Sequence, residues 1–243
     1  MILHCDPIDR TFSIIIRTFV ILTKRIMVEI NQRFEEVDKQ LQELFAVFNG
    51  EVIFPCSYFV GSIITRTRAN NQGFMDLIKV KNHICALALI RLQIDNCILL
   101  YQAQLVEDPD EFFQYMANGN EAYKYKGHKK KKTDFHESKV VKALNYQYEE
   151  IQSLYEATSG FIHFSSKHIS SSYKQEFKED GLNLYINRHF TIFYSDEAYK
   201  TVYNAMLYTN DVIFDLLQYW KTLHLQNVEL VLKQGTSPKF LSL

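Results

Sequence analysis

Two charged residues, Arg91 and Asp95, interrupt the most apolar long stretch of the chain, which runs from residue 84 to residue 101. Because they are four residues apart, they lie on the same face if the stretch is helical. Burying a charge among leucines and isoleucines costs free energy, so such a charge is expected to have a partner or a function. An arginine offers a fixed fork of N–H donors and an aspartate offers acceptor oxygens, so the pair can satisfy itself or bind an anion. The spacing therefore indicates a polar site on an otherwise buried helix.

A second polar group, Ser159, His163 and His168, lies in the segment Ser-Gly-Phe-Ile-His-Phe-Ser-Ser-Lys-His. At about 100° per residue, Ser159 and His163 fall on one side of a helix that continues through Ser159. Polar stripes on two apolar helices are expected to face each other, since each is costly to bury alone. We predict that these three residues form one site with Arg91 and Asp95, with the hydroxyls of Tyr101 and Tyr155 nearby.

Three kinds of site fit these residue types. In the first, buried polar side chains hold two helices in register, without catalysis. In the second, His163 or His168 is a general acid or base and Arg91 stabilises a developing negative charge, as in phosphodiester cleavage by the substrate's own 2′-hydroxyl. In the third, the two histidines bind a metal ion with Asp95 and, as a further ligand, Glu156, although their spacing matches no known metal motif. We predict no metal and no other cofactor, because the usual phosphate-loop, hydrolase and zincin motifs are absent from the sequence.

A cluster of lysines lies in the polar segment 124–134, which we predict to be a surface loop. Closely spaced ammonium groups can contact phosphates, because neutralising a nucleic-acid backbone releases counterions. A loop that is merely solvated has the same composition. RNA is therefore left open as a partner, through Lys129, Lys130, Lys131 and Lys132.

The overall composition narrows the class of protein. The chain has 243 residues, of which 47% are hydrophobic, so it can bury a sizeable core. Its formal net charge of -1 argues against coating of nucleic acid or an anionic membrane by bulk electrostatics. The four cysteines show no zinc-ligand spacing, which favours reduced thiols. We expect a cytoplasmic protein that does not bind a membrane.

Apolar residues recur at helical spacing through most of the chain, so we predict an all-α fold, a helical bundle with one small β-hairpin. A short helix over 58–67 is expected to end in a turn at 70–73, Asn-Asn-Gln-Gly. The long apolar helix then begins near Asp76, which is expected to cap it. Asp108-Pro109-Asp110 ends that helix and begins a short one through Met116, since proline fits the first turn of a helix.

The second half of the chain adds two helices and the hairpin. Residues 138–158 are predicted to be helical, and the pair Ser159-Gly160 kinks or ends that helix because both residues are weak helix formers. Alternation with period two predicts a hairpin over 173–187. A last helix is predicted to begin at Ser195-Asp196-Glu197.

We predict a single domain over 27–226, an N-terminal extension at 1–26 and a C-terminal tail at 227–243. The amphipathic pattern begins at about Met27, so the residues before it are expected to be loosely attached, and one hypothesis is that they precede the natural start. The apolar run 12–22 is shorter than the roughly 20 residues of a membrane span. It also lacks the basic start and small-residue cleavage site of a secretory signal.

Four motifs resemble a group of uncharacterised bacterial all-helical proteins. They are Leu-Ile-Arg-Leu-Gln-Ile-Asp-Asn at 89–96, Val-Glu-Asp-Pro-Asp at 106–110, Gly-His-Lys-Lys at 127–130 and Tyr-Glu-Ala-Thr-Ser-Gly-Phe-Ile-His-Phe-Ser-Ser-Lys-His at 155–168. The resemblance covers roughly residues 76–169 and implies that Arg91, Asp95, Ser159, His163 and His168 belong together.

More distantly, the chain is similar to the HEPN superfamily of helical ribonucleases and abortive-infection proteins, which place an arginine and a histidine at a bundle interface. That superfamily usually carries the two residues close together on one helix, whereas Arg91 and His163 lie on different elements. The similarity implies RNA cleavage and a role in phage defence or as a toxin.

Two classes of function therefore stay open, and the sequence does not decide whether the protein is an enzyme. The first is a non-catalytic interaction or ligand-binding module whose polar network fixes the bundle and a homodimer. The second is a HEPN-like RNA-cleaving protein with His163 or His168 as acid or base and Arg91 on phosphate.

Overall fold

The structure is a computed structural model, and it describes residues 7–50, 52–129, 134–163, 165–166, 173–178, 181–186 and 196–234. Seven α-helices lie in these residues, and the predicted all-α class is confirmed. The helices are α1 Pro7–Phe48, α2 Pro55–Lys79, α3 His83–Gln104, α4 Pro109–Ala117, α5 Glu137–Leu144, α6 Ile151–Ser159 and α7 Asp196–Gln234. A 3₁₀ turn spans Ala122–Lys124, and two strands, β1 Tyr173–Lys178 and β2 Gly181–Ile186, pair antiparallel with Tyr173 opposite Ile186.

The chain divides into two compact units, Met1–Lys39 and Gln40–Leu243, with the boundary inside α1. Helical structure begins at Pro7, before the predicted boundary at Met27. At the other end α7 continues to Gln234, past the predicted start of the tail at residue 227. The domain limits 1–26, 27–226 and 227–243 stay predictions, as does the hypothesis about the natural start.

Helix α3 forms the centre of the second unit. It packs against α2 and α7, and also against α5 and α6. Its residues Ile90, Ile94, Cys97 and Leu100 are fully buried. Of the helices in the described part of the chain, α3 alone is long and apolar enough to cross a membrane by length and composition. Burial among four other helices accounts for that apolar character, because a core helix needs apolar residues on every side.

The turn predicted at residues 70–73 is wrong, since α2 runs without interruption from Pro55 to Lys79. Asn70 and Asn71 are buried and hydrogen-bonded to side chains of α3 and α7. Residues that favour a turn locally are thus held in a helix by partners far away in sequence. The long helix α3 begins at His83 rather than near Asp76, and its cap is Asn82, whose side chain accepts a hydrogen bond from the Cys85 backbone N–H at 3.3 Å.

The short helix predicted at the Asp-Pro-Asp motif is confirmed as α4. The Asp108 side chain caps it by accepting from the backbone N–H groups of Asp110 and Glu111, at 2.9 and 3.1 Å. It ends before Gly119, which has a φ of 82° that favours glycine.

The helix predicted over 138–158 is instead two helices, α5 and α6, separated by a turn at 145–150. In that turn the Asn145 side chain accepts a hydrogen bond from the Gln152 backbone N–H at 3.1 Å, which fixes the first turn of α6. Helix α6 ends at Ser159, before Gly160, as predicted.

Candidate functional site

Arg91 lies in the middle of α3 and is only 5% exposed. Its Nη1 forms an ion pair with Asp95 one turn along the same helix. Its Nη2 donates to Glu137 Oε2 at 2.8 Å, and its Nε donates to Ser159 Oγ at 3.3 Å. The guanidinium carbon lies 4.2 Å from the ring centroid of Tyr155. We call these five residues the Arg91 cluster.

Three helices bring the Arg91 cluster together. Glu137 is the first residue of α5, and Tyr155 and Ser159 lie one turn apart on α6. The Ser159 hydroxyl donates to the Tyr155 carbonyl at 2.5 Å, so its oxygen is free to accept from the arginine. The Tyr155 hydroxyl donates to Glu137 Oε2 at 3.3 Å. Arg91 therefore links α3 to both α5 and α6.

Side-chain exposure increases from the arginine of the Arg91 cluster to its two carboxylates. The side chain of Arg91 is 6% exposed, that of Asp95 23% and that of Glu137 56%. The arginine is thus desolvated while its two carboxylates keep part of their hydration, a geometry in which the ion pairs offset the cost of burying the guanidinium. One guanidinium between two carboxylates has a formal charge of -1. The cluster by itself does not attract a phosphate.

The structure brings together three of the five site residues predicted from the sequence, namely Arg91, Asp95 and Ser159. His163 is exposed in the turn that follows α6, and it is not among the contacts of Arg91 within the described residues. His168 lies outside the described residues. The structure therefore shows a contact between α3 and α6, without a histidine in it.

Glu137 is the member of the Arg91 cluster that sequence reasoning missed. It lies 46 residues from Arg91 along the chain. An acidic residue at the start of a helix is common because it favours the helix dipole, so its type and position give no signal of a second role.

Among the predicted lysines, the structure describes Lys129. Its ammonium is exposed and donates to the Gln104 carbonyl at 2.7 Å, at the end of α3. Lys130, Lys131 and Lys132 lie outside the described residues. Within the described part of the chain, no three His, Cys, Asp or Glu side chains are grouped so that they could hold a metal ion.

A second buried polar network, also missed by sequence reasoning, lies where α2, α3 and α7 meet. Gln93 is its centre, with no exposed surface. Its Oε1 accepts from Asn70 and from Asn96, each at 2.9 Å, and its Nε2 donates to Asn210 at 3.1 Å and to Asn71 at 3.3 Å. Asn96 also donates to Thr67 Oγ1 at 3.0 Å. We call the set the amide network, and its members are Thr67, Asn70, Asn71, Gln93, Asn96 and Asn210.

A buried serine and histidine pair connects the beginning of α2 to the C-terminal half of α7. Ser57 Oγ lies 3.1 Å from His224 Nδ1, and both residues are almost fully buried. The imidazole also packs against the rings of Phe48 and Phe54, with centroids 5.2 and 5.6 Å away. Burial lowers the pKa of His224, and a hydrogen bond to the backbone of Val47 opposes that shift in part.

The stability of the fold is expected to depend on pH through His224. Below about pH 6.5 the unfolded chain gains a proton on this imidazole, whereas the folded chain does not until the pH falls to its lower pKa. The free energy of unfolding therefore decreases as the pH falls through this window. We expect His224→Gln to decrease the difference between unfolding free energies measured by urea titration at pH 7.5 and pH 5.5.

The exposed His136 provides the matched control, because His136→Gln removes an imidazole that is not buried. A wild-type pH difference that persists in His224→Gln would show that another group produces it.

Comparisons of the chain with protein-family models, with curated proteins and with solved structures return no match.

Proposed function

We propose that this chain is a non-catalytic interaction or ligand-binding module of the cytoplasm, in which the Arg91 cluster is a structural framework. One observation carries the proposal, namely that each of the three guanidinium nitrogens of Arg91 already has a partner inside the protein. A catalytic arginine needs donors aimed at the position where negative charge develops. Three of its five N–H groups are in use, and the other two are on nitrogens that already pair with Asp95 and Glu137, so a phosphate that accepted from them would lie beside a carboxylate.

The charge and exposure of the Arg91 cluster support the same function. Its two carboxylates leave it with a formal charge of -1, and the arginine is 5% exposed. A phosphate that approached would meet Glu137 first, since that side chain is the most exposed member. The repulsion between two anions disfavours binding of an RNA backbone there.

The Arg91 cluster holds in position the exposed turn that follows α6, and this turn is the surface that a partner would contact. Arg91 holds the end of α6 through Ser159 and Tyr155, and the turn after α6 presents the exposed side chains of Ile162 and His163. An exposed apolar residue beside a polar one on a fixed turn suits contact with a partner, a second copy of the chain included.

The second candidate function is RNA cleavage of the HEPN-like type. The exposure of His163 favours it, because a general acid or base must reach its substrate. In this alternative, Arg91 would position the turn that bears His163 instead of contacting phosphate.

An experiment on expressed protein separates the two functions. Wild type, His163→Ala, His168→Ala and Arg91→Ala are each expressed, and cell growth and the integrity of total RNA are measured. We expect all four to match an empty vector. RNA cleavage by wild type that is lost in a folded His163→Ala or His168→Ala variant would overturn the proposal and establish the second function.

A further inference from the structure

A groove of about 530 Å³ opens between the end of α1 and α2. Its apolar wall contains Phe45, Phe48 and Ile53, and the α2 side presents small and hydroxyl-bearing residues. Phe45 is 37% exposed and Tyr58 47%, so both rings are accessible to a ligand. The volume lies within the range of small-molecule sites, roughly 300–1,000 Å³.

Arg66 is the one charged residue among the described residues that line this groove. It is half-buried, and no carboxylate of the described residues forms an ion pair with it. Its Nη1 donates to Asn96 Oδ1 at 2.9 Å, a neutral partner that belongs to the amide network. Burial, followed by the charge of Arg91, lowers the pKa of Arg66. The charge of Arg66 is thus held in a place where the protein does not neutralise it.

The remaining donors of Arg66 define what could neutralise it. Because Nη1 is used by Asn96, the edge formed by Nε and Nη2 remains, and this edge matches the two oxygens of a carboxylate. The hydroxyls of Ser62 and Thr65 donate to backbone carbonyls of their own helix, at 2.8 and 3.0 Å. Their protons are already used, and Arg66 supplies the charged donor on this side of the groove.

We propose that the groove binds an amphipathic monocarboxylate, with the carboxylate paired to Arg66 and the hydrocarbon body against Phe45, Ile53 and Tyr58. A monoanion balances the single positive charge. From Ser57 to Arg66 the helix rises about 13 Å, which accommodates a medium-length alkyl chain. Burial of the alkyl chain supplies affinity through the hydrophobic effect, and the arginine selects for charge.

The test uses the full chain and octanoate as the probe. Isotope-labelled protein is titrated with octanoate, with 1-octanol, which lacks the charge, and with acetate, which lacks the alkyl chain. Backbone amide shifts in two-dimensional NMR give both the location and the dissociation constant. We expect saturable binding of octanoate with shifts at residues 45, 61, 62 and 66, at least tenfold weaker binding of 1-octanol, and no saturable binding of acetate.

Two variants test the groove, and a third is a control. Arg66→Gln removes the charge, and we expect it to weaken octanoate at least tenfold while leaving 1-octanol unchanged. Ala69→Phe places a ring in the groove from an exposed position and is expected to weaken both probes. Lys142→Gln removes an exposed charge on α5 and is expected to change neither.

Three outcomes would overturn the inference: no saturable octanoate binding, equal affinity for octanoate and 1-octanol, or unchanged octanoate affinity in Arg66→Gln. The inference goes beyond the proposed function, and it depends on Arg66 rather than on the Arg91 cluster. Absence of octanoate binding would therefore not contradict the framework role of Arg91. Cleavage of RNA by His163 would likewise not contradict binding of a carboxylate in the groove.

Discussion

Replacement of Arg91 by methionine is expected to lower the free energy of unfolding by about 3 kcal/mol. Methionine keeps the apolar stem of the side chain but removes the guanidinium that links α3 to α5 and α6. Asp95, with 23% of its side chain exposed, then loses its ion pair while it is still partly desolvated. Ser159 and Glu137 lose a donor at the same time. Urea or guanidinium titration of the purified protein measures the change.

Two further variants show how much of this loss of stability comes from breaking the ion pairs of Arg91. Glu137→Gln removes the exposed carboxylate and is expected to cost less than about 1 kcal/mol, because exposed ion pairs contribute little. Arg91→Met combined with Asp95→Leu removes both charges and is expected to recover part of the stability lost in Arg91→Met alone. If Arg91→Met unfolds at the wild-type denaturant concentration, Arg91 is not a framework residue and its assignment to structure is wrong.

The contact between α3 and α6 was accessible to sequence reasoning because it rests on local rules. Arg91 and Asp95 are one helical turn apart, and burial of charged side chains in an apolar helix costs free energy unless they are paired. The two residues are therefore expected to interact with each other and with a polar partner. Ser159 stands next to a glycine that ends a helix, so its position at a helix end follows from the sequence as well. Two such features in an all-α chain predict a meeting point without knowledge of the crossing angle.

The partners that α5 and α7 supply could not be predicted in this way. Glu137 reaches Arg91 only because α5 packs on α3, and nothing in the neighbourhood of Glu137 in sequence indicates that packing. Asn210 likewise stands among the apolar residues of α7, in an amphipathic pattern that it does not disturb. Pairing between distant elements depends on tertiary geometry, which local periodicity does not specify.

The incorrect prediction of a turn at residues 70–73 also arises because contacts between distant elements are not visible in the sequence. Asn70, Asn71 and Gly73 favour a turn by their individual propensities. In the structure the amides are satisfied by Gln93 and Asn210, and Gly73 lies against α3, where an added Cβ would approach a methyl group of Leu89 to 3.2 Å. Glycine thus serves close helix packing here, and the asparagines serve the amide network. A signal was present in Gln93 and Asn96, which are uncharged polar residues in the same apolar helix as Arg91.

Replacement of Gln93 by leucine is expected to be at least as destabilising as loss of Arg91, with a cost of about 3 kcal/mol or more. Gln93 has no exposed surface, so water cannot replace its hydrogen bonds. Without it, Asn70 loses the acceptor 2.9 Å from its amide nitrogen, and Asn210 loses a donor at 3.1 Å. Each buried polar group left without a partner costs roughly 1–3 kcal/mol. Chemical denaturation measures the loss, and circular dichroism at low denaturant establishes that the variant still folds.

The matched control is Gln218→Leu, which makes the same chemical change at an exposed position of α7 and is expected to alter stability by less than about 0.5 kcal/mol. A second variant, Asn210→Leu, removes one partner of the amide network and is expected to cost less than Gln93→Leu, because the two bonds that Asn70 and Asn96 make to Gln93 survive. The expected loss of stability decreases in the order Gln93, Asn210, Gln218, because the number of buried hydrogen bonds that each side chain makes decreases in that order. Equal losses in all three variants would mean that general packing, rather than the amide network, holds α2, α3 and α7 together.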